Sequence, residues 1–223
     1  TAGSEVLMVD AAEAALERGQ SAIAKSLARS VKKERMTQAE ADAICARVKT
    51  STTIADRTDQ ELVVEAVVEK KAIKSSVLQE LDKTLPAGTI LATNTSSISI
   101  TELAAATSRP DRVIGMHFMN PVPVMKLIEV IRGHETSDET TSAVLACSES
   151  LGKVPVEATD YPGFVANRVL MPMINEAVFC LMEGVASRDG IDTVMKLGMA
   201  HPMGPLALAD LIGLDVCLDI LEV

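Results

Sequence analysis

Short apolar segments that alternate with helical segments constrain the fold of this chain more than any other feature. Residues 5–9, 62–67, 89–93 and 153–158 have the apolar character of buried strands, and helical patterns follow the first three. Alternation of this kind is typical of a doubly wound, mostly parallel sheet. We therefore predict an α/β domain over residues 1–159.

The pattern changes after residue 159, where every predicted element is a helix. The segment DYPG (160–163) interrupts the chain, and apolar residues then recur at positions 165, 169, 173, 177 and 181 with helical spacing. Two further helices are predicted at residues 187–195 and 206–221. We therefore predict an all-α C-terminal domain over residues 160–223.

A helical hairpin, inserted near residues 12–49, follows the first predicted strand. The segment TQAE (37–40) is a capping box that opens its second helix. The first helix has a basic face formed by Lys25, Arg29, Lys32 and Lys33. A solvated surface is the ordinary interpretation of such a charge run, and a groove for a phosphate-bearing ligand is the alternative.

The stretch RVIGMHFMNPVPVMKLIEVIR (112–132) carries the most informative polar residues. We predict two strands separated by a proline-bounded loop, with His117 at the end of the first and Glu129 inside the second. An ionised carboxylate in an apolar strand is costly unless it is paired. A pair would fix the tautomer of His117 and suit it to general-base catalysis. The residues alone leave open a core histidine and a carboxylate that never meet.

Polar residues also follow two predicted strands, at the edge where open α/β sheets bind ligands. Asp10 follows the first strand, and in a dinucleotide fold an acid at such a position binds the adenine ribose. The glycine-rich loop that should precede it by about 20 residues is absent, so Asp10 also fits a helix N-cap. NTSS (94–97) follows the strand at 89–93, and an ordinary capped loop is its alternative interpretation.

Composition argues against several classes of partner. The formal net charge of -10 disfavours nucleic acid and anionic membrane surfaces. No apolar run is long enough to span a bilayer. The cysteines show no metal or redox spacing, so we expect buried thiols, no metal site and a cytoplasmic location. These cysteines are Cys45, Cys147, Cys180 and Cys217.

Five long motifs lie in order along essentially the whole chain. They are LVVEAVVE (62–69), ATNTSSISIT (92–101), IGMHFMNPVPVMKLIEVI (114–131), PGFVANR (162–168) and MKLGMAHPMGPLALADLIGLD (195–215). In these motifs the chain resembles the L-3-hydroxyacyl-CoA dehydrogenases, in particular the bacterial 3-hydroxybutyryl-CoA dehydrogenase type. The resemblance implies an NAD-dependent oxidoreductase with an N-terminal Rossmann domain and a helical C-terminal domain that forms a homodimer.

The resemblance also implies roles for individual residues. His117 matches the catalytic base and Glu129 the carboxylate paired with it. Ser96 and Asn167 match polar groups around the substrate oxygen. The cofactor-binding positions of the family match Asp10, Glu69, Lys74 and Asn120. Ser26 and Lys33 match contacts to the coenzyme A portion, which makes the hairpin a substrate-binding flap.

The implied reaction is the oxidation of an (S)-3-hydroxyacyl-CoA, such as 3-hydroxybutyryl-CoA, to the 3-oxoacyl-CoA, or the reverse reduction. His117 would take the hydroxyl proton while hydride leaves C3, and Glu129 would stabilise the imidazolium. Hydrogen bonds from Ser96 and Asn167 would stabilise the oxygen that changes charge. Asp10 is followed by two alanines and no arginine, which favours NAD over NADP.

The chain departs from the family pattern at both ends. The family begins with a strand and a glycine-rich loop that this chain lacks, and it continues past residue 223. That strand is central in a Rossmann sheet, and its loop holds the pyrophosphate. We therefore expect a fragment with a gap in the sheet, poorly folded alone and without measurable NAD affinity. Cooperative unfolding with NAD-dependent stabilisation would contradict this expectation.

The sequence alone leaves two other functions open. A structural, crystallin-like protein could keep the fold without activity, although it would not require the set His117, Glu129, Ser96 and Asn167. A dehydrogenase of sugar acids is the other alternative, and Ser26 and Lys33 favour the CoA ester over it.

Overall fold

The computed structural model describes residues 2–56 and 59–222, so the outermost positions of the two predicted domains, 1 and 223, lie outside the description. The strands are β1 (Val6–Val9), β2 (Val48–Ser51), β3 (Leu62–Glu65), β4 (Ile90–Thr93), β5 (Val113–Phe118), β6 (Leu127–Arg132) and β7 (Val154–Thr159). The α-helices are α1 (Glu13–Lys32), α2 (Gln38–Arg47), α3 (Lys71–Thr84), α4 (Ile100–Ala104), α5 (Asp138–Ser150), α6 (Ala166–Met182), α7 (Arg188–Gly198), α8 (Pro205–Ile212) and α9 (Leu214–Leu221). The predicted α/β fold followed by an all-α region is confirmed.

The main sheet has the strand order β3-β4-β5-β6-β7. The pairs β3–β4, β4–β5 and β6–β7 are parallel, and helices connect them along the chain. The pair β5–β6 is antiparallel. A short loop joins these two strands, and only an antiparallel pair can be joined without a long crossover.

Side chains on both faces of the main sheet are buried, as a doubly wound sheet requires. Leu91 packs in a cluster with residues of α3 and α4, whereas its neighbour Ala92 packs in a second cluster with residues of α5. Consecutive strand residues point to opposite faces, so helices cover the sheet on both sides.

A second, two-stranded sheet pairs β1 with β2 in parallel. In the described part of the chain no backbone ladder joins it to the main sheet. Val6 and Val9 of β1 are 48% and 39% exposed.

The helical hairpin α1–α2 connects β1 to β2 and begins its second helix with the predicted capping box at Thr37. Strand β2 was missed by the sequence analysis. This strand, VKTS, is short and mostly polar, so no apolar run or clear alternation marks it in the sequence.

Helices α6, α8 and α9 of the C-terminal region pack around a cluster of buried residues, Met171, Ile174, Ala209 and Cys217. Helix α7 packs against α6 and α8 through a separate cluster that contains Ile191. The prediction of one helix over residues 206–221 is wrong. The chain forms α8 and α9 instead, separated by Gly213 with φ of 103°. A positive φ ends α8 there, although the apolar pattern continues past the break.

The prediction that the cysteines are buried holds for Cys217 only, because Cys45 is exposed and the other two are partly exposed. All four are free thiols. Among the helices described, none combines the length and the apolar character needed to cross a bilayer.

Candidate active site

A histidine and a glutamate face each other across the antiparallel pair β5–β6. His117 is the last residue but one of β5, close to the predicted end of that strand, and Glu129 is its direct partner in the ladder. The Nδ1 atom of His117 lies 2.9 Å from Oε2 of Glu129. Both side chains are buried, with 9% and 3% of their surface exposed. Strand register therefore creates the pair that the sequence left open.

The second oxygen of Glu129 is held by the chain that enters the helical region. Oε1 accepts hydrogen bonds from the backbone N–H of Val165 at 3.1 Å and of Ala166 at 2.9 Å. Burial raises the pKa of Glu129, but the hydrogen bonds from His117 and these amides outweigh it, so the pKa lies below its ordinary value. Glu129 is therefore an ionised carboxylate at neutral pH.

The ionised state of Glu129 determines which nitrogen of His117 carries a proton. A carboxylate only accepts hydrogen bonds, so Nδ1 must donate to it. In the neutral imidazole the proton then resides on Nδ1, and Nε2 keeps its lone pair. The pair thus presents Nε2 as a base.

A tight turn before α6 brings the helical region onto this pair. Gly163 has φ of 76°, and a Cβ there would lie 2.8 Å from the backbone nitrogen of Arg168. Glycine is required by both the backbone conformation and the close approach. The turn also buries Phe164, whose ring centroid lies 6.1 Å from that of His117.

The first turn of α6 contacts the loop that follows β4. The side-chain amide Nδ2 of Asn167 donates to the backbone carbonyl of Ser96 at 2.9 Å. These residues are 71 positions apart in the chain, and both are only partly buried. Asn167 is adjacent in sequence to the amide of Ala166 that holds Glu129, so the contact joins this loop to the His117–Glu129 pair.

Glu69 also holds the loop that follows β4 (residues 94–99, hereafter the Ser96 loop). Oε1 of Glu69 accepts from the backbone N–H of Ser96 at 2.8 Å and of Ser97 at 3.2 Å, and from the hydroxyl of Thr95. Burial raises the pKa of Glu69, but these hydrogen bonds and the charge of Lys74 bring it below its ordinary value. An ionised carboxylate therefore organises the loop.

A buried ion-pair network anchors Glu69 in turn. The ammonium of Lys74 lies 3.2 Å from Oε2 of Glu69 and 3.0 Å from Oε1 of Glu65. Lys74 is 1% exposed, and Glu65 also accepts from the hydroxyl of Thr93 at 2.7 Å. Because these groups enclose the ammonium of Lys74, it does not contact a ligand directly. It can influence a ligand only by holding Glu69.

Comparison with known proteins identifies the family to which this site belongs. Residues 1–161 match the model of the 3-hydroxyacyl-CoA dehydrogenase NAD binding domain, and residues 163–223 match the C-terminal domain of the same enzymes. The chain belongs to the 3-hydroxyacyl-CoA dehydrogenase family.

Individual relatives of this dehydrogenase agree with the match. A probable 3-hydroxybutyryl-CoA dehydrogenase of Bacillus subtilis is 55% identical over 222 residues, which are 100% of this chain and 77% of the relative. The mitochondrial hydroxyacyl-coenzyme A dehydrogenase of Homo sapiens is 44% identical over 96% of this chain and 70% of its own length. The crystal structure of (S)-3-hydroxybutyryl-CoA dehydrogenase from Ralstonia eutropha has a TM-score of 0.97 and 52% identity, covering 99% of this chain and 78% of that one. The predicted family, Rossmann-type fold and NAD cofactor are confirmed.

Four predicted site residues of the dehydrogenase lie outside the hydrogen-bonded network described above. Asp10 directly follows β1, is exposed, and accepts from the N–H of Ala12 at 2.9 Å. Asn120 is exposed in the β5–β6 loop, where the Asn120–Pro121 peptide bond is cis. Ser26 is partly buried in α1, and Lys33 is exposed at the end of that helix. Their assignments stay predictions.

Several groups that build the site of the dehydrogenase were not predicted from the sequence. Glu65 carries the same signal that marked Glu129, a charged residue in an apolar strand, and that signal could have found it. The amides of Val165 and Ala166 could not be found, because a backbone N–H has no signature in the sequence. Asp160, which is bonded to the first turn of α4, was noted only as part of a chain break.

Proposed function

We propose that this chain carries the site for NAD-dependent oxidation of (S)-3-hydroxyacyl-CoA, with 3-hydroxybutyryl-CoA as the substrate, or for the reverse reduction. The observation that carries the proposal is the buried His117–Glu129 pair, in which the imidazole keeps a basic Nε2. The family match and the names of the relatives support the substrate class.

In the proposed oxidation, Nε2 of His117 removes the proton from the 3-hydroxyl group as the C3–H bond breaks and the carbonyl forms. Glu129 holds the ring through Nδ1 and stabilises the imidazolium that results. Bound NAD supplies the acceptor for the hydride that leaves C3. In the reduction His117 returns its proton to the same oxygen. General acid–base help of this kind typically contributes roughly 10²–10⁴-fold in rate.

We assign the binding of the reacting oxygen to Ser96 and Asn167. The Ser96 loop and the first turn of α6 meet beside the dyad, and their direct hydrogen bond supports joint action on one substrate atom. Preorganised donors that face a developing charge lower the barrier without reorganising during the reaction.

The chain's own residues fit a dinucleotide at the carboxyl edge of its parallel strands, where open α/β sheets bind ligands. Asp10 presents an exposed carboxylate directly after β1, and we assign it to the adenine ribose. Glu69 keeps 39% of its side chain exposed beside the Ser96 loop, and Asn120 is exposed after β5, so both are placed toward the cofactor in our proposal. Lys74 contributes through Glu69.

We assign the coenzyme A portion to α1. Lys33 is an exposed cation near Arg29 and Lys32 in the last turn of that helix, and Ser26 lies two turns earlier. A cluster of cations offers local attraction to phosphates although the whole chain is acidic.

The test is NADH oxidation with acetoacetyl-CoA. The assay uses the 223 residues joined to the segments of the Bacillus subtilis relative outside the matched region (hereafter the extended chain), with the 223-residue chain measured alongside. Free acetoacetate is the control for the CoA ester, and NADPH is the control for the cofactor. We expect turnover of acetoacetyl-CoA with NADH. An extended chain that folds and binds NADH but reduces only free keto acids would contradict the substrate class.

We also propose a homodimer formed through the helical region. The resemblance to the family implies it, and large apolar side chains on α6 to α9 are exposed, among them Leu197 at 81%, Leu211 at 70% and Met182 at 69%. Exposed apolar patches mark interaction surfaces. Light scattering should give the mass of a dimer, and Leu197→Lys or Leu211→Lys should shift it toward a monomer; a monomeric parent would contradict the proposal.

A cytoplasmic location is the last part of the proposal. The four cysteines remain free thiols in the structure, which fits a reducing compartment. Recovery of the protein in the cytosolic fraction of lysed cells is the expected result, and recovery with membranes would contradict it.

A further inference from the structure

Asp160 lies where the chain leaves the sheet and turns toward the helical region. It is the residue after β7, and its own N–H donates to the backbone carbonyl of Arg132 at 2.9 Å. Its carboxylate reaches across to the start of α4. Oδ2 accepts from the hydroxyl of Ser99 at 2.7 Å and from the backbone N–H of Thr101 at 2.8 Å.

The hydrogen bonds to Asp160 hold the N-terminal end of α4, which needs support from outside the helix. This helix has only five residues, and isolated helices of that length are unstable. Ser99 is its N-cap and accepts from the N–H of Glu102 at 3.3 Å. A carboxylate at a helix N-terminus is favoured by the helix dipole and by charge-assisted hydrogen bonds. Asp160 therefore fixes the position of the first turn of α4.

A further hydrogen bond joins the segment before α4 to the segment that leads into α6, beside the His117–Glu129 pair. Ser96 precedes Ser99 by three residues, Asn167 follows Asp160 by seven, and Asn167 donates to the carbonyl of Ser96 at 2.9 Å. One link would let the Ser96 loop pivot relative to α6. Two links at different points remove that freedom, so the loop and the helix share one arrangement.

We propose that Asp160 is a positioning residue for the dehydrogenase reaction, which sets the placement of Ser96 and Asn167 relative to His117. The proposal rests on the proposed roles of these three residues. Asp160 acts through Ser99 and Thr101 of α4. Misplacing a reacting group by about 1 Å can cost on the order of 10²-fold in rate, so the loss should appear in kcat.

The test compares Asp160 with a matched carboxylate elsewhere in the protein. Asp192 accepts from the N–H groups of Leu206 and Ala207 at the start of α8, at 2.9 and 3.0 Å, wholly inside the helical region. The variants Asp160→Ala, Asp160→Asn and Asp192→Ala are made in the extended chain. Steady-state kcat and KM for acetoacetyl-CoA, the midpoint of thermal unfolding, and amide hydrogen exchange of residues 94–101 are measured.

We expect Asp160→Ala to lower kcat about 10- to 100-fold with a smaller change in KM. Asp160→Asn keeps an acceptor oxygen of the same shape and should recover most of kcat. Asp192→Ala should lower the unfolding midpoint while leaving kcat close to the parent value. Hydrogen exchange of residues 94–101 should rise in Asp160→Ala only.

The outcomes separate this inference from the proposed function. If the parent turns over acetoacetyl-CoA and Asp160→Ala keeps its kcat, the positioning role is wrong while the function stands. Equal losses of kcat in Asp160→Ala and Asp192→Ala would reduce the effect to general destabilisation and overturn the inference. If the parent folds but shows no turnover, the function fails, and unchanged exchange of residues 94–101 in Asp160→Ala would still refute the link to the loop.

Discussion

Two buried glutamates, Glu129 in β6 and Glu65 in β3, occupy comparable positions in apolar strands but differ in what they hold. Their exposed fractions are 2% and 3%. Each also accepts backbone N–H groups: Glu129 from the start of the helical region and Glu65 from Val67 at 2.6 Å. The partner differs, because Glu129 faces His117 and Glu65 faces Lys74.

The partner decides whether the buried pair can do chemistry. A lysine ammonium ordinarily stays charged across the neutral range, so a Lys–Glu pair stabilises and positions its surroundings without exchanging protons. An imidazole gains and loses a proton near neutral pH, so a His–Glu pair can take a proton from a substrate and return it. In our proposal the same way of burying a carboxylate thus serves catalysis at one site and structural support at the other.

Replacing the histidine of the first pair should have the largest effect. In His117→Asn the amide still donates to Glu129, but the base is gone. We expect kcat of the extended chain to fall roughly 10²–10⁴-fold, with the unfolding midpoint close to that of the parent. Steady-state kinetics and thermal unfolding of the two proteins measure this, and a variant that retained parent-like kcat would remove His117 from the mechanism.

Glu129→Gln should follow, with a loss of kcat in the same range of roughly 10²–10⁴-fold. The Gln amide group can donate to Nδ1, which favours the tautomer with its proton on Nε2 and removes the base. The effect should appear in kcat more than in KM for acetoacetyl-CoA. A matched change of an exposed side chain, Glu149→Gln on α5, is the control and should leave kcat at the parent value.

The pH dependence of stability should distinguish Glu129→Gln as well. The folded-state pKa of Glu129 lies below its ordinary value of 4.5, so its ionised form stabilises the native state. That stabilisation is complete above the unfolded-state pKa and is lost as the pH falls through the folded-state value. The difference in unfolding free energy between parent and variant should therefore shrink below pH 4.5, as denaturant titrations at several pH values would show. A constant difference would contradict the ionised assignment.

Breaking the second pair should affect stability more than chemistry. Lys74→Met leaves Glu65 buried without its cation, which typically costs about 3–5 kcal/mol. The kcat of the molecules that remain folded should fall far less than in His117→Asn. The double variant Glu65→Gln/Lys74→Met removes the unpaired charge and should recover much of the unfolding free energy. If denaturant titrations show no such recovery, then the unpaired charge of Glu65 is not the cause of the lost stability.

These two buried pairs also show which parts of the site can be predicted from the sequence. Polar residues inside apolar strands predict that a buried partner exists, and this signal led to His117 and Glu129. The same signal at Glu65 predicts a buried partner, which the structure identifies as Lys74. Strand register, which makes His117 and Glu129 direct partners, is expressed only in the folded sheet.

Other parts of the site depend on contacts that the sequence does not encode locally. Asp160 and Ser99 are 61 positions apart, and nothing in either segment specifies the other. Gly213 interrupts an apolar pattern that reads as one helix, because hydrophobic spacing does not reveal a positive φ. Helices and buried strands could therefore be predicted, whereas long-range polar contacts and the polar strand β2 could not.

The smallest expected effect lies at the edge of the second network, at Glu69. Glu69→Gln keeps an oxygen that can accept from the N–H of Ser96, but it loses the charge and turns an amide toward Lys74. Because hydrogen bonds to a charged acceptor are stronger than neutral ones, we expect a loss of about 1 kcal/mol, or about fivefold in kcat. An unchanged kcat would contradict the role of Glu69 at the Ser96 loop, whereas a rise in KM for NADH would support its proposed place beside the cofactor. Kinetics with both substrates varied separates the two roles, and so tests whether the Lys–Glu network only supports the loop.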